Sequence, residues 1–321
     1  MRQKVIISGP ALSQTGYGEQ CRFALRSLRS RDDLFDLYLL NTNWGGSNQV
    51  TGDTKEKKWI QNLMDKTHIY LKQRENQPGY HFDMSLQVTI PNEFKNMAPI
   101  NVGYTAGIES TIVAPQWLQI INQTMSHLIV ISNHAKDGFV NTKHLASDSK
   151  GNHFEMKMDK PCYPVNYPIK PSASEDLTLD LKHDFNFLLT SQWGARKNFE
   201  RTIRWFIEEN HDREVGLVIK TNRVKNCTLD RLHTEEALRQ LTADFPERKC
   251  SITLVHGYMT EEEIQGLYRN SKIKCLINLA HGEGFGLPLF DAAAAGLPVM
   301  TVGWGGQKDF LYKNDKDYFQ R

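Results

Sequence analysis

The stretch from Ile273 to Val299, IKCLINLAHGEGFGLPLFDAAAAGLPV, combines an apolar strand pattern, a turn with glycines at 282, 284 and 286, and an alanine-rich segment. Proline suits a first helical turn and a Gly-x-Pro sequence marks a helix end, so we predict a helix that begins at Leu287 or Pro288 and ends near Gly296. The N–H groups and the positive dipole end at such a helix start favour an anion, for example a diphosphate.

The same order of strand and helix recurs along most of the chain. Strand patterns such as KVIISG (4–9) and FNFLLTS (185–191) alternate with helical patterns such as FERTIRWFIEEN. This alternation predicts α/β units with a mainly parallel sheet, whose ligand crevice lies beyond the carboxyl ends of the strands. The proline-rich region 143–182 interrupts the alternation, so we predict two Rossmann-like domains, residues 1–172 and 173–321. The chain stops before the closing helices usual for such a domain, and we expect the second domain to be incomplete at its C-terminus.

Composition excludes several other classes of protein. A chain of 321 residues with 40% hydrophobic content fits two globular domains, and a net charge of +2 without long blocks of like charge gives no strong nucleic-acid signature. Five scattered cysteines form no C-x-x-C pair, which argues against a zinc site and a disulfide framework. The sequence has neither a signal-peptide core nor an apolar span of membrane length, so we expect a cytoplasmic protein, with peripheral contact to a membrane left open.

Two acids flank the glycine turn and are its most informative feature. Glu283 precedes the predicted helix and Asp291 lies about one turn inside it. Carboxylates accept hydrogen bonds from vicinal hydroxyls, so beside a diphosphate one acid can hold a sugar and the other a ribose. The alternative is that Glu283 caps or solvates the turn and that Asp291 only favours the first turn of the helix. We expect Glu283 to lie in a crevice turn rather than in a core, so that Glu283→Ala lowers turnover strongly and leaves folding intact.

The segment EGFGLPLFDAAAAGLPV resembles the E-x7-E signature of retaining GT-B glycosyltransferases, the group that includes glycogen synthases and phosphatidylinositol mannosyltransferases. The resemblance implies two Rossmann-like domains that face each other across a cleft. It also implies that Glu283 contacts the donor sugar and that Asp291, an Asp where the family has Glu, binds the ribose of the nucleotide. The backbone assigned to the diphosphate is that of Gly284, Phe285, Gly286 and Leu287.

Two further segments of the second domain resemble the same family. In LLTSQWGARKNFERTIRWFIEE, Lys197 stands where the family has a lysine that neutralises the donor diphosphate. Gln192 stands at the position of the usual arginine, with Arg196 as a possible substitute; the alternative is that Arg196 and Lys197 are a solvated helix entry. In LVHGYMTEEEIQGLY, the backbone around Gly257 and Tyr258 would frame the nucleotide base, although Tyr258 could equally be a packed aromatic residue.

In the first domain, SGPALSQTGYGEQCR matches the loop that faces donor phosphate and acceptor. Gly16 and Gly18 would allow close approach of a ligand, or they could serve only the turn. The region after strand INVGYT lacks the histidine of many relatives; Thr105 and Glu109 occupy the neighbourhood. We take Glu109 as the candidate for acceptor or sugar contact, with a helix-capping role as the alternative.

Together these features predict transfer of a sugar from a nucleotide-diphosphate sugar, of UDP or GDP type, to an acceptor hydroxyl. The resemblance implies retention of configuration and no bound metal or tightly held cofactor, and Asp315-Lys316-Asp317 is interpreted as surface. The acceptor stays open among glycan, lipid, protein and modified DNA. Two alternatives keep the fold: a non-catalytic nucleotide-sugar-binding protein and a nucleotide-sugar epimerase.

Overall fold

The computed structural model describes residues 2–106, 109–147, 150–170 and 173–312. The chain divides into two compact units, Met1–Pro168 and Ile169–Arg321. The predicted boundary at residue 172 and the Asp315-Lys316-Asp317 sequence both lie outside the described residues.

The first unit is built on a six-stranded sheet of order β2-β1-β3-β4-β5-β8, in which every paired neighbour is parallel. A separate antiparallel hairpin is formed by β6 and β7. The elements are β1 Gln3–Gly9, α1 Gly16–Arg29, β2 Phe35–Asn41, α2 Lys55–Lys72, β3 Met84–Val88, a 3-10 turn Pro91–Glu93, β4 Ile100–Thr105, α3 Pro115–Thr124, β5 His127–Val130, α4 Asn133–Asn141, β6 His144–Ser147, β7 His153–Met156 and β8 Cys162–Pro164.

The second unit is built on a five-stranded parallel sheet of order β11-β10-β9-β12-β13. Its elements are β9 Asn186–Thr190, a 3-10 turn Ala195–Lys197, α5 Phe199–Asn210, β10 Gly216–Thr221, α6 Thr228–Thr242, β11 Ser251–His256, α7 Glu261–Arg269, β12 Ile273–Asn278, α8 Leu287–Ala294, β13 Val299–Thr301 and α9 Lys308–Leu311.

Each face of the second sheet has its own apolar core, as expected for a parallel sheet covered on both sides. On one face Phe199, Ile203 and Phe206 of α5 pack with Leu238 and Leu241 of α6. On the other face the core contains residues of α7, α8 and the strands, among them Leu267, Leu276 and Leu289. Strand residues therefore read as continuous apolar runs, which explains why their pattern was visible in the sequence.

The strands and helices predicted from periodicity are present, and α8 begins at Leu287 and ends before Gly296, whose φ of 86° closes the helix. The proline-rich region differs from the prediction. It contains the β6–β7 hairpin, whose strands are four residues long and mostly exposed, so no apolar run marks them. Within the described residues, none of the helices is long and apolar enough to cross a membrane.

Candidate active site

The loops that follow β9 and β12 meet at the topological switch point of the second sheet. The chain runs from β9 outward through β10 to β11, and then returns to β12 on the opposite side of β9. In open α/β sheets, a crevice forms where the strand order reverses in this way. Residues 191–198 and 279–286 occupy this position.

Three contacts fasten these two loops to each other. Arg196 donates from Nη1 to the carbonyl of Gly282 at 2.8 Å, and the backbone N–H of His281 donates to the carbonyl of Arg196 at 2.9 Å. Asn198 donates from Nδ2 to the carbonyl of Leu279 at 3.0 Å. Asn198 has a φ of 51°, the left-handed conformation that Asn tolerates better than most residues. The turn that carries Lys197 is therefore held rigidly against the glycine turn.

An ion pair lies at the centre of this arrangement. Lys197 donates from Nζ to Oε1 of Glu283 at 2.6 Å, and the two side chains are only 17% and 7% exposed. Arg196 Nη1 lies 3.8 Å from Glu283 Oε2, and Asn278 donates from Nδ2 to Oε1 at 3.3 Å. The carboxylate beside the glycine turn is thus paired with basic and amide groups. Lys197 is largely buried, whereas 44% of the Arg196 side chain is exposed and its guanidinium contacts the Gly282 carbonyl.

Glu283 lies in the turn but is buried there, unlike the expectation that it lies outside a core. The whole residue is 5% exposed and buried with Gly282 and Gly284 on either side. It is neither solvated nor the cap of α8, because Gly286 occupies the N-cap position and no side chain caps this helix. Removing one partner of such a buried pair leaves an unpaired charge, so folding will not be indifferent to Glu283.

A loop after β13 braces the glycine turn from the other side. The backbone N–H of Gly306 donates to the carbonyl of Glu283 at 2.8 Å. A Cβ on Gly306 would lie 1.9 Å from the carbonyl oxygen of Gly284, so only glycine fits there. The Phe285 side chain packs against Phe290 and Phe310, with ring centroids 5.2 and 5.0 Å away. Phe285 therefore offers only its backbone to a ligand at this turn.

Asp291 borders a cavity of about 340 Å³ in the second unit. The cavity also contains Lys170, Gln265 and Arg269, and Lys170 forms an ion pair with Glu261. The charge of Asp291, added to the larger effect of burial, raises the pKa of the neighbouring Tyr268. The lining thus has one carboxylate, two cations and one amide, and a cavity of this size and polarity suits a small polar ligand.

The predicted base-framing residues Gly257 and Tyr258 follow β11, and Gly257 accepts a half-buried hydrogen bond. Gly257 has a φ of 106°, and its carbonyl accepts a hydrogen bond from Nζ of Lys220. Burial lowers the pKa of Lys220. Tyr258 is 51% exposed, so it is not a packed aromatic residue.

A buried carboxylate organises the loop beside this segment. Asp230 Oδ1 accepts a hydrogen bond from Nε2 of His256 at 2.8 Å, and the carboxylate also accepts three consecutive backbone N–H groups of the loop after β10, those of Arg223, Val224 and Lys225. Burial alone would raise the pKa of Asp230, but these hydrogen bonds outweigh it and hold the pKa well below its usual value. Gln192 supports the same loop, since its Nε2 donates to the carbonyl of Arg223.

The first-unit candidates lie after β1 and β4. Thr15 caps α1, which begins at Gly16, and a Cβ on Gly18 would lie 2.0 Å from the carbonyl oxygen of Ser13. Gly18 is therefore required by the packing of the turn itself, whereas a Cβ on Gly16 would meet nothing within 4 Å. Glu109 lies half-buried in the loop after β4; it is not a helix cap, because α3 begins at Pro115 with Ala114 at the N-cap.

Sequence reasoning missed several residues that build this site. Asn198 and Asn278 are ordinary polar residues in the sequence, and no spacing rule connects them to Glu283. The two glycines at 305 and 306 were a signal that could have been used, because consecutive glycines in a loop often indicate a close backbone approach.

Neither the protein-family models nor the curated protein sequences compared with this chain match it. Several solved structures are similar to it. HepE from Anabaena, in complex with UDP and glucose, superposes with a TM-score of 0.58 at 13% identity, covering 97% of this chain and 84% of HepE. The lipopolysaccharide outer core galactosyltransferase WaaB gives 0.56 at 12% identity, covering 98% and 84%. A glycosyltransferase from Rickettsia africae gives 0.53 at 13% identity, covering 98% and 82%.

WaaB and the Rickettsia protein are glycosyltransferases, and the likeness of all three structures extends over nearly the whole chain. The predicted fold, an α/β protein with two Rossmann-like domains of the GT-B type, is therefore confirmed. At such low identity the likeness concerns the fold, so the activity has to be argued from the residues of this chain.

Proposed function

We propose that this protein is a glycosyltransferase that moves a sugar from a nucleotide-diphosphate sugar to an acceptor hydroxyl with retention of anomeric configuration. One observation carries the proposal: an almost buried acid and ammonium, Glu283 and Lys197, are held 2.6 Å apart at the switch point, directly before helix α8. Burying two charges is costly, and this pair lies at the switch point, where open α/β sheets bind their ligands.

The donor diphosphate is assigned to the start of α8. Pro288 has no N–H, and the amides of Leu289 and Phe290 donate to the carbonyl of Gly286, so the proposed contact falls on Leu287 and the turn before it. The helix dipole and the cations of Lys197 and Arg196 would stabilise negative charge that builds on the departing diphosphate. That HepE binds UDP and glucose on the same fold supports a UDP-type donor.

In the proposed reaction, the bond between the anomeric carbon and the diphosphate oxygen breaks and a bond to the acceptor oxygen forms on the same face. The acceptor proton passes to the departing diphosphate. Glu283 accepts hydrogen bonds from the donor sugar and its charge faces the oxocarbenium-like transition state, while Asp291 binds the ribose and the backbone at Gly257 and Tyr258 frames the base.

The test uses the full chain and a panel of UDP- and GDP-sugars, with release of the nucleotide diphosphate as readout. We expect turnover of at least one donor, with product of unchanged anomeric configuration by NMR. Glu283→Gln, which keeps the shape of the side chain, should lower turnover about 100-fold. The matched control is Glu236→Gln, because Glu236 is an exposed acid on α6 paired with Arg239.

The outcomes separate the alternatives. Binding of UDP without turnover of any donor would favour a non-catalytic nucleotide-sugar-binding protein, and release of an isomerised free nucleotide sugar would favour an epimerase. Hydrogen exchange locates the site: UDP should protect the amides of 284–291, and protection elsewhere in the second unit without protection there would refute the assignment.

A further inference from the structure

Two aromatic rings stack at the carboxyl edge of the first sheet. Tyr17, in the first turn of α1, and Trp44, in the loop after β2, have ring centroids 4.3 Å apart and an interplanar angle of 28°. Both residues are half-buried. Loops at this edge of a parallel sheet are where α/β domains bind ligands.

Hydrogen bonds fix the orientation of the Tyr17 ring and the backbone turn that carries Trp44. The Tyr17 hydroxyl lies 2.8 Å from Oγ1 of Thr105 and accepts from the backbone N–H of Ala106 at 3.1 Å. Trp44 begins a tight turn that is closed by the N–H of Ser47, which donates to the Trp44 carbonyl at 3.1 Å. A preorganised aromatic surface loses little conformational entropy when a ligand packs on it.

The two loops that carry the rings are also joined to each other. Gln14 donates its N–H to the carbonyl of Asn48 at 2.8 Å, and Val50 donates to the carbonyl of Leu12 at 2.7 Å. The turn beside Trp44 has room around it, since a Cβ on Gly45 or on Gly46 would meet nothing within 4 Å. The two rings thus lie on loops that are hydrogen-bonded to each other, and the turn at Gly45 and Gly46 has open space around it.

The chemistry of these loops selects the kind of ligand. Residues 10–18 (PALSQTGYG) and 42–50 (TNWGGSNQV) contain no charged side chain, but they are rich in hydroxyl and amide groups. Phosphates and charged peptides are therefore poor matches. A pyranose ring is neutral, has C–H faces that pack on aromatic rings, and has hydroxyls around its edge that need such polar partners.

We infer that Tyr17 and Trp44 form a platform that binds a pyranose ring of a glycan acceptor. The acceptor role rests on the proposed function, whereas binding of a pyranose to the platform does not. The structure thereby narrows the acceptor from glycan, lipid, protein or modified DNA to a molecule that presents a neutral sugar ring.

The experiment is saturation-transfer NMR on the full chain with methyl glycosides of glucose, galactose, mannose and N-acetylglucosamine as probes. We expect at least one probe to receive saturation on its C–H face, and Trp44→Ala to weaken its binding about tenfold. The control is Trp205→Ala, which removes an exposed indole of α5 that contacts the guanidinium of Arg201. This variant should leave sugar binding unchanged.

Trp44→Leu serves as a second variant if the alanine variant does not fold, because leucine keeps apolar contact with Tyr17 but has no ring. Its binding should fall as for alanine, with unchanged far-UV circular dichroism. The inference is overturned if no pyranoside binds the folded wild type, if both Trp44 variants bind normally, or if uridine or adenosine competes better than every sugar. If the wild type binds a sugar in a Trp44-dependent way but turns over no donor, the platform stands and the proposed transfer reaction is refuted.

Discussion

The buried pair between Glu283 and Lys197 makes a prediction about stability as well as about chemistry. Glu283→Ala leaves the ammonium of Lys197 without its partner in a site where the lysine side chain is 17% exposed. We expect the free energy of unfolding to fall by about 3 kcal/mol, as measured by urea denaturation. Activity lost in this variant therefore mixes folding with chemistry, which is why the isosteric glutamine is the better test of mechanism.

The control for that measurement is Glu236→Ala, which breaks an exposed pair with Arg239 on the surface of α6. Surface pairs contribute little to stability, so the urea midpoint should not move. The double variant Lys197→Met with Glu283→Leu should recover part of the lost stability, because apolar residues can replace a buried ion pair. A Glu283→Ala variant as stable as wild type would show that the pair is better solvated than its burial indicates.

The assignment of ribose to Asp291 is tested by removing one partner at a time. We expect 2′,3′-dideoxy-UDP to bind the wild type about tenfold more weakly than UDP, because the carboxylate loses its hydroxyl donors. Asp291→Ala, which removes the hydrogen-bond acceptor, should bind both nucleotides about equally in isothermal calorimetry. If the variant keeps the full preference for UDP, another residue reads the ribose.

At the level of elements, the start of α1 offers two glycines with opposite expectations. Gly18→Ala places a methyl group 2.0 Å from the Ser13 carbonyl oxygen and should cost about 1–3 kcal/mol. Gly16→Ala meets nothing within 4 Å and its φ is not in the left-handed region, so it should stabilise the chain by about 0.5 kcal/mol. Thermal unfolding should give a lower midpoint for Gly18→Ala and a higher midpoint for Gly16→Ala than for the wild type. Equal midpoints of the two variants would contradict the close contact between Gly18 and Ser13.

The loop between β10 and α6 carries a pH dependence through Asp230. Its pKa is depressed by the hydrogen bonds from His256 and from the loop amides, whereas an unfolded Asp titrates near pH 4. A depressed carboxyl pKa contributes stability that is fully present above the unfolded value and is lost as pH falls through the folded value. Below about pH 4, the wild type should therefore lose stability more steeply than Asp230→Asn, as followed by urea titrations at several pH values. Parallel acid limbs in the two proteins would contradict this role.

At the level of the whole molecule, donor binding should appear as a thermal shift. A ligand at one hundred times its dissociation constant stabilises the folded state by about 2.7 kcal/mol. Since the proposed donor contacts all lie in the second unit, whose two cores are its own, UDP should raise the calorimetric transition that includes residues 169–312. Asp291→Asn at the same UDP concentration should show a smaller shift, and an equal shift would place the nucleotide elsewhere.

Many helices and strands could be predicted from the sequence because the patterns that indicate them are local. Helix α5 occupies the segment FERTIRWFIEEN that periodicity marked, and proline and glycine delimit α8 as predicted. Apolar runs identify buried parallel strands, since both faces of such strands are covered. The β6–β7 hairpin was not predicted, because short exposed strands contain no apolar run.

What the sequence determined by itself was the order of strands and helices, the glycine turn with Glu283 and Asp291 on either side, and the cations at 196 and 197. Tertiary structure alone decided that Lys197 pairs with Glu283, 86 positions away, and that Tyr17 stacks on Trp44. These contacts depend on which strands are neighbours, and β9 lies beside β12 only because the chain reverses direction across the sheet. Periodicity reports the face that a residue presents within its own element, and it carries no information about the loop that will lie opposite.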